Sequence, residues 1–386
     1  TENEQYARFL GMITNIDDNF GRLRQVLQRL ELEENTILIF MSDNGQTGHG
    51  GHPPADPYNA GMQGLKGSPY EGGHRIPFML RWPAGGLAVE RPVPELCSYV
   101  DIMPTLLDLC SVPVPPERTF HGQSLVPLCK GETGPLWDER VFVTDTQRVA
   151  HPLKWRMSCV MKGPWRLINR TELYDLTSDP GQIQDIAAEH PDIVAELREG
   201  YEAWWQLCSR QINDDIPISI GAQGQGEAVL RSHDLRNEQD HSVVWNQEQV
   251  RQGDLCHGYW EIDVEQEGLY EFELRRWPSE AGHRIRSGIE GPDVVYREDD
   301  IAPGAAGNYA GGNAIAYDTA SLDISGLDQL SVEVTAADKG AVFRVRLPKG
   351  PRHLRGQFST CWGRYTSAYY VYIRRCGQTS DTNDTP

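Results

Sequence analysis

The apolar run Ile37-Leu38-Ile39-Phe40-Met41, halted at Ser42-Asp43-Asn44-Gly45, constrains this chain more than any other segment. Its length, β-branched content and lack of polar alternation predict a strand from Thr36 to Met41, covered on both faces within a parallel sheet. Such sheets gather ligands at the carboxyl ends of their strands, and Asp43 and Asn44 stand at such an end. A carboxylate and a carboxamide offer oxygen to a hard divalent cation, calcium or magnesium, whereas zinc prefers nitrogen or sulfur. A Ser-Asp-Asn-Gly tetrapeptide alone is equally an Asx turn closing a strand, so the assignment depends on the residues downstream of it.

Downstream stands Lys66, 23 positions after Asp43 (66 − 43), in a loop holding Gly61, Gly64, Gly67, Gly72 and Gly73. Several glycines let backbone approach a ligand closely, and a lysine among them is a strong point charge for an oxyanion. Lys66 is therefore the candidate catalytic and substrate-binding residue, beside Asp43 and Asn44 as candidate metal ligands. His74, between Gly73 and Arg75, is a second candidate for substrate contact, with loop packing as its alternative. Arg75 is expected to pair with Glu71. His49 and His52 are candidates for the pocket mouth, not for metal ligation, because the adjacent oxygen donors favour a harder ion.

Around these residues the pattern is that of an α/β chain. Phe9, Met12, Ile13, Ile16, Phe20, Leu23, Leu27 and Leu30 recur at steps of three and four, which predicts an amphipathic helix over 4–30. A second buried strand is predicted over 76–82, and a helix beginning at Asp101. Residues 140–144, 157–162 and 165–169 read as short strands and 191–207 as a helix, a small α+β subdomain. Residues 216–226 read as a linker. Beyond them helices are not expected, and alternating segments at 260–264, 270–274, 330–334, 342–347 and 369–373 predict an antiparallel β-sandwich. Its Trp245, Trp260, Trp277, Trp362, Tyr369, Tyr370 and Tyr372 are candidates for sugar-stacking platforms, with core packing as the alternative for most.

Taken together, the string from Ile39 to Gly45, the segment Leu65-Lys66-Gly67-Ser68-Pro69-Tyr70-Glu71-Gly72-Gly73-His74-Arg75-Ile76-Pro77 and then Arg81-Trp82-Pro83 resemble the sulfatase family. The resemblance continues through Val100-Asp101-Ile102-Met103-Pro104-Thr105 and Glu172-Leu173-Tyr174-Asp175-Leu176, and covers about residues 4–210. It implies part of an alkaline-phosphatase-like α/β catalytic domain over 1–135 and its α+β C-terminal subdomain over 136–215. After the linker at 216–226 come an accessory β-sandwich over 227–376 and a disordered tail over 377–386. It also implies hydrolysis of a sulfate ester on a small molecule or glycan, calcium held in part by Asp43 and Asn44, sulfate held by Lys66, and a periplasmic or extracellular setting.

The family's nucleophile is a formylglycine made from Cys or Ser in a C-x-P-S-R motif. None of Cys97, Cys110, Cys129, Cys159, Cys208, Cys256, Cys361 and Cys376 stands in that context, nor does any serine. The resemblance places that motif upstream of the opening helix, so the chain is expected to be the C-terminal part of a longer enzyme, without turnover alone. Thr1-Glu2-Asn3-Glu4 has no initiator methionine, consistent with a processed product or a fragment.

A net charge of −19 argues against a nucleic-acid partner, which lysine and arginine would have to neutralise. No segment approaches the roughly 20 apolar residues that span a bilayer. Eight cysteines without a C-x-x-C pair argue against a disulfide scaffold or structural zinc, leaving only a pairing of Cys256 with Cys361 or Cys376 open. Two alternatives stand beside the sulfatase reading: a phosphoryl-transfer relative on the same fold, and a non-catalytic module binding sulfated glycans.

Overall fold

The computed structural model describes residues 2–47, 58–88, 90–147, 149, 152–212, 214–237, 243–291 and 311–377. His49, His52 and the tail beyond Gly377 lie outside the described residues. The chain divides into two compact units, Thr1–Asn213 and Asp214–Pro386.

The first unit opens on the helix Glu2–Arg29, in agreement with its apolar spacing. Leu10, Met12, Ile13, Ile16, Leu23, Val26 and Leu30 remain exposed, and none of the described residues of this helix joins a buried cluster. Among its contacts, Arg24 pairs with Glu33 at 3.0 Å, and Phe20 is edge-on to Phe40 at 5.4 Å between ring centroids. Phe40 belongs to the strand Leu38–Met41, which pairs antiparallel with Phe78–Arg81. The structure thus corrects the parallel, doubly covered strand of the sequence reading: all four residues of Leu38–Met41 are half-buried, and Phe78 and Met79 are exposed. Among the described residues the helix between these strands is only Glu71–His74, and the chain doubles back so that the second strand runs antiparallel to the first.

The helix Ile102–Leu109 follows a tight turn at Tyr99–Asp101. Asp101, with no exposed surface, accepts the N–H groups of Ser98 (2.8 Å) and Gln123 (2.9 Å) and pairs with the Arg140 guanidinium. Arg140 in turn lies over the rings of Trp137 and Phe142, at 5.0 and 4.5 Å. Val141–Asp145, Ser158–Lys162, Trp165–Ile168 and Glu172–Asp175 then form a four-stranded antiparallel meander. Because side chains alternate along a strand, the sheet has two apolar faces. Val160, Leu167 and Leu173 meet Val194, Leu197 and Tyr201 of the helix Pro191–Cys208, while Cys159, Met161, Ile168 and Tyr174 pack against Tyr70 and Leu96.

In the second unit, Leu330–Glu333, Thr319–Ile324, Gly350–Ser359, Gly258–Val264 and Ile218–Ile220 run side by side in one sheet, which Tyr365–Ser367 and Arg236–Asn237 extend. A second sheet orders Ala341–Leu347, Gly268–Arg275, Tyr370–Arg375 and Glu227–Arg231. Strict alternation sends Trp260, Ile262 and Val264 from the first sheet, and Tyr270, Phe272, Leu274, Val371 and Ile373 from the second, into one core. Two expectations change. Ile218–Ile220 is a strand paired parallel to Gly258–Val264, so the linker read at 216–226 is already part of this unit. Gln247–Gln252 is a short helix where none was expected, capped by the Asn246 side chain.

Candidate active site

The turn at the end of Leu38–Met41 is held from both sides. The Tyr99 hydroxyl lies 2.7 Å from the carbonyl oxygens of both Ser42 and Asp43, which share its proton, and Ser42 Oγ donates to Asn44 O at 2.9 Å. Two main-chain hydrogen bonds join this turn to the glycine-rich loop: Gly45 N–H to Gly73 O at 3.1 Å, and Lys66 N–H to Gln46 O at 2.9 Å. They bring together the backbone segments that carry Asp43, Asn44 and Lys66, three of the candidates named in the sequence.

The contact needs glycine. A Cβ on Gly45 would lie 1.8 Å from Gly72 O, and one on Gly72 would lie 2.1 Å from Gly64 O. Backbone on both sides leaves nothing flexible to yield. Gly45→Ala is expected to destabilise the first unit by about 2–3 kcal/mol in a denaturant titration. Gly11→Ala, on the opening helix with nothing within 4 Å, is the control and should be neutral or slightly stabilising. Equal behaviour of the two variants would disprove the close approach.

Asp43 is exposed and, among the described residues, has no ion-pair partner. The Asn44 amide donates from Nδ2 to Gly45 O at 2.9 Å, which leaves Oδ1 to accept or to ligate. Two oxygen donors are part of the six to eight that calcium takes. Among the described residues no group of three or more His, Cys, Asp or Glu could hold a metal ion. Lys66 is exposed, likewise without an ionic partner among the described residues, and borders a groove of about 640 Å³ lined by Asn59, Met62, Leu65, Ser68 and Met157.

His74 is not free to act alone. Its Nε2 lies 3.1 Å from Glu71 Oε1, and its Nδ1 is buried without a partner. Glu71, 2% exposed, also receives Arg166 Nε at 2.6 Å, and its backbone N–H donates to Gln182 Oε1 at 2.8 Å. Arg75 approaches Glu71 at 3.5 Å, as expected from the sequence, but is itself largely exposed. Burial alone would raise the Glu71 carboxyl, yet the hydrogen bond from His74 and the charge and hydrogen bond of Arg166 outweigh it and hold the carboxyl at about 2. One residue earlier, the Tyr70 hydroxyl donates to Glu172 Oε2 at 2.7 Å, and burial together with that carboxylate pushes the phenol to about 12.

The loop carrying Lys66 is therefore fastened to the four-stranded sheet through Tyr70 to Glu172 and Glu71 to Arg166. Arg166 faces the loop because it stands in register with Met161 and Tyr174 on that side of the sheet. Arg166, Gln182 and Tyr99 were not singled out in the sequence, and Glu172 only as part of the string Glu172–Leu176. A visible signal was a lone cation inside the otherwise apolar strand Trp-Arg-Leu-Ile, a residue that must find an acid if its face is buried.

Comparison with known proteins bears on the family of this chain. The family profile described as "Sulfatase" matches residues 1–112, and that described as "N-sulphoglucosamine sulphohydrolase, C-terminal" matches residues 66–204. The N-acetylgalactosamine-6-O-sulfatase of Bacteroides thetaiotaomicron is 30% identical over 222 residues, covering 50% of this chain and 40% of that protein. Arylsulfatase K of Rattus norvegicus is 29% identical over 302 residues, covering 72% of this chain and 46% of that protein. A solved structure, from a study of glycosaminoglycan metabolism by Bacteroides thetaiotaomicron, is 28% identical with a TM-score of 0.38, covering 49% of this chain and 42% of that one. The chain thus spans less than half the length of these relatives. The two profiles overlap on the loop of Lys66 and Glu71 and run together from residue 1 to residue 204, and the chain belongs to the sulfatase family.

Proposed function

We propose that the first unit forms the metal-and-sulfate side of a sulfate-ester hydrolase. The observation that carries this reading is the pair of main-chain hydrogen bonds seating the Lys66 loop on the Asp43–Gly45 turn. Lys66 Nζ holds a sulfate oxygen and offsets its charge, while Asp43 and Asn44 Oδ1 contribute two ligands to calcium. Calcium, when bound, supplies a further positive charge to the sulfate. Glu71 and Arg166 fix the loop from behind, and His74, tethered to Glu71, borders the sulfate rather than holding a metal.

The nucleophile does not come from the cysteines of this chain, since none stands in the required motif; sulfate binding without turnover is the expected behaviour of the chain as given. The substrate is a sulfate ester on a sugar or small organic body, a reading supported by relatives named for such sulfatases. The second unit is an accessory β-sandwich, and a periplasmic or extracellular setting fits the family resemblance.

Calorimetric titration of the chain with inorganic sulfate in the presence of calcium tests this. Lys66→Ala is expected to weaken sulfate binding by about tenfold to a hundredfold, the worth of a charge-assisted hydrogen bond. Asp43→Ala should weaken calcium binding first and sulfate only through it. Sulfate affinity unchanged in Lys66→Ala would remove Lys66 from the site, and release of sulfate from 4-nitrophenyl sulfate by the chain alone would overturn the assignment of the nucleophile elsewhere.

A further inference from the structure

Most aromatic residues that the sequence offered as stacking platforms prove to be core: Trp260, Trp277, Tyr369 and Tyr372 are buried. Two are not. Trp362 is 83% exposed and Trp245 is 66% exposed.

Neither stands on loose chain. Trp362 occupies the turn between the strands Gly350–Ser359 and Tyr365–Ser367, closed by Thr360 N–H to Arg364 O at 2.8 Å and Gly363 N–H to Thr360 O at 3.0 Å. Gly363, at φ +80°, provides the left-handed residue such a turn requires. The neighbouring Cys361 N–H is held by Asp318 Oδ2 at 2.7 Å. Trp245 donates its backbone N–H to Gln249 Oε1 at 2.9 Å, at the start of the helix Gln247–Gln252. Arg364 Nη2 donates at 2.7 Å to the carbonyl of Gly253, the residue that ends the same helix. Both indoles are therefore mounted on one helix–hairpin junction, with a helix of about 9 Å between their attachment points.

The junction also holds arginines, of which Arg364 is exposed. Arg276, fully buried, donates to Arg251 O at 3.3 Å and Ser287 O at 3.2 Å and lies 4.4 Å over the Trp277 ring. Among the described residues neither Arg276 nor Arg364 has a carboxylate partner, in a chain whose net charge is −19. Of the acids here, Asp318 is engaged by Cys361 and lies 3.6 Å from Arg286, while Asp254, beside Gly253, and Glu248, in the first turn of the helix, are exposed.

An exposed indole of this kind, followed in the chain by polar residues (Gly363 and Arg364, or Asn246 and Gln247), keeps its face open to solvent. It suits the C–H face of a pyranose, whose remaining edges stay hydrated. We propose that this junction binds an acidic polysaccharide, with Trp362 and Trp245 stacking on sugar rings and Arg364 pairing with an anionic substituent, sulfate or carboxylate.

Native gels cast with chondroitin sulfate, polygalacturonate or dextran, run at about 0.15 M salt so that the overall negative charge is screened beyond about 8 Å, test this on the full chain. The charged polymers should retard the protein more than dextran does. Retardation by chondroitin sulfate alone identifies the substituent as sulfate, by polygalacturonate alone as carboxylate, and by both as charge in general. Trp362→Ala and Trp245→Ala should each weaken retardation about tenfold with unchanged melting, as both side chains are exposed. Arg364→Gln should abolish the preference over dextran. No retardation in any gel, equal retardation by all three, or wild-type behaviour of Trp362→Ala would overturn the proposal. So would retardation that is lost in Lys66→Ala and kept in Trp362→Ala, which would place the binding at the sulfate site instead.

Discussion

Replacing Asp101 with alanine is expected to remove about 3–5 kcal/mol from the stability of the first unit, because it strands a buried guanidinium. Asp101 has no exposed surface and the Arg140 side chain only 6%, so water cannot replace the lost carboxylate. The same carboxylate satisfies the N–H groups of Ser98 and Gln123, which would be left without an acceptor. The rings of Trp137 and Phe142 keep part of the attraction for Arg140 but carry no negative charge to neutralise it.

Guanidinium-chloride unfolding of the full chain reads the loss, and the double variant Asp101→Asn with Arg140→Met should lose less than the two single variants together. Glu139→Ala is the contrast. That residue is 72% exposed where it meets Lys162 at 2.6 Å, and its removal should change stability by less than about 1 kcal/mol. Were Asp101→Ala to fall in that same range, the pair would not be the buried anchor described.

The second large effect depends on pH. Glu71 is held at about 2, below its ordinary value of 4.5, so its contribution is fully present above about pH 4.5 and disappears as pH falls through about 2. At 1.36 kcal/mol per pH unit the difference corresponds to about 3 kcal/mol. Glu71→Gln should therefore be less stable than the parent at pH 6, and the two unfolding midpoints should converge as the pH approaches 2. A gap that stays constant across this range would mean that charge is not what Glu71 contributes. Arg166→Gln should reproduce part of the loss, since the carboxylate then keeps the hydrogen bond of His74 and the more distant Arg75.

The elements legible in the sequence were those whose own side chains declare a face. Gly258–Val264 and Gly268–Arg275 alternate buried and partly exposed residues along their length, and Pro191–Cys208 places Val194, Leu197 and Tyr201 on one side. The long strand Gly350–Ser359 was missed because its inward positions are Leu354, Gly356 and Phe358 among Pro, Arg, His and Gln. At Gly356 the core is filled by Leu274 from the other sheet, 3.0 Å from where a Cβ would be.

Periodicity also misled at Leu38–Met41. An unbroken apolar run describes a strand fit for cover on both faces, but not the direction of its partner. In the candidate site, Asp43, Asn44 and Lys66 could be proposed because adjacent oxygens and a glycine-rich loop are local signals. Arg166 could not, because it meets Glu71 across 95 positions, and pairing over such a separation is fixed by sheet register.

The uncovered apolar side of the opening helix has a colloidal consequence. Leu10, Met12, Ile13, Ile16 and Leu23 present a ridge to solvent on a chain whose nineteen surplus negative charges push like copies apart. Salt shortens the reach of that repulsion from about 30 Å at 0.01 M to about 3 Å at 1 M, while leaving the ridge as sticky as before. Raising the ionic strength is therefore expected to favour association of these molecules without unfolding them, which light scattering across that salt range would show.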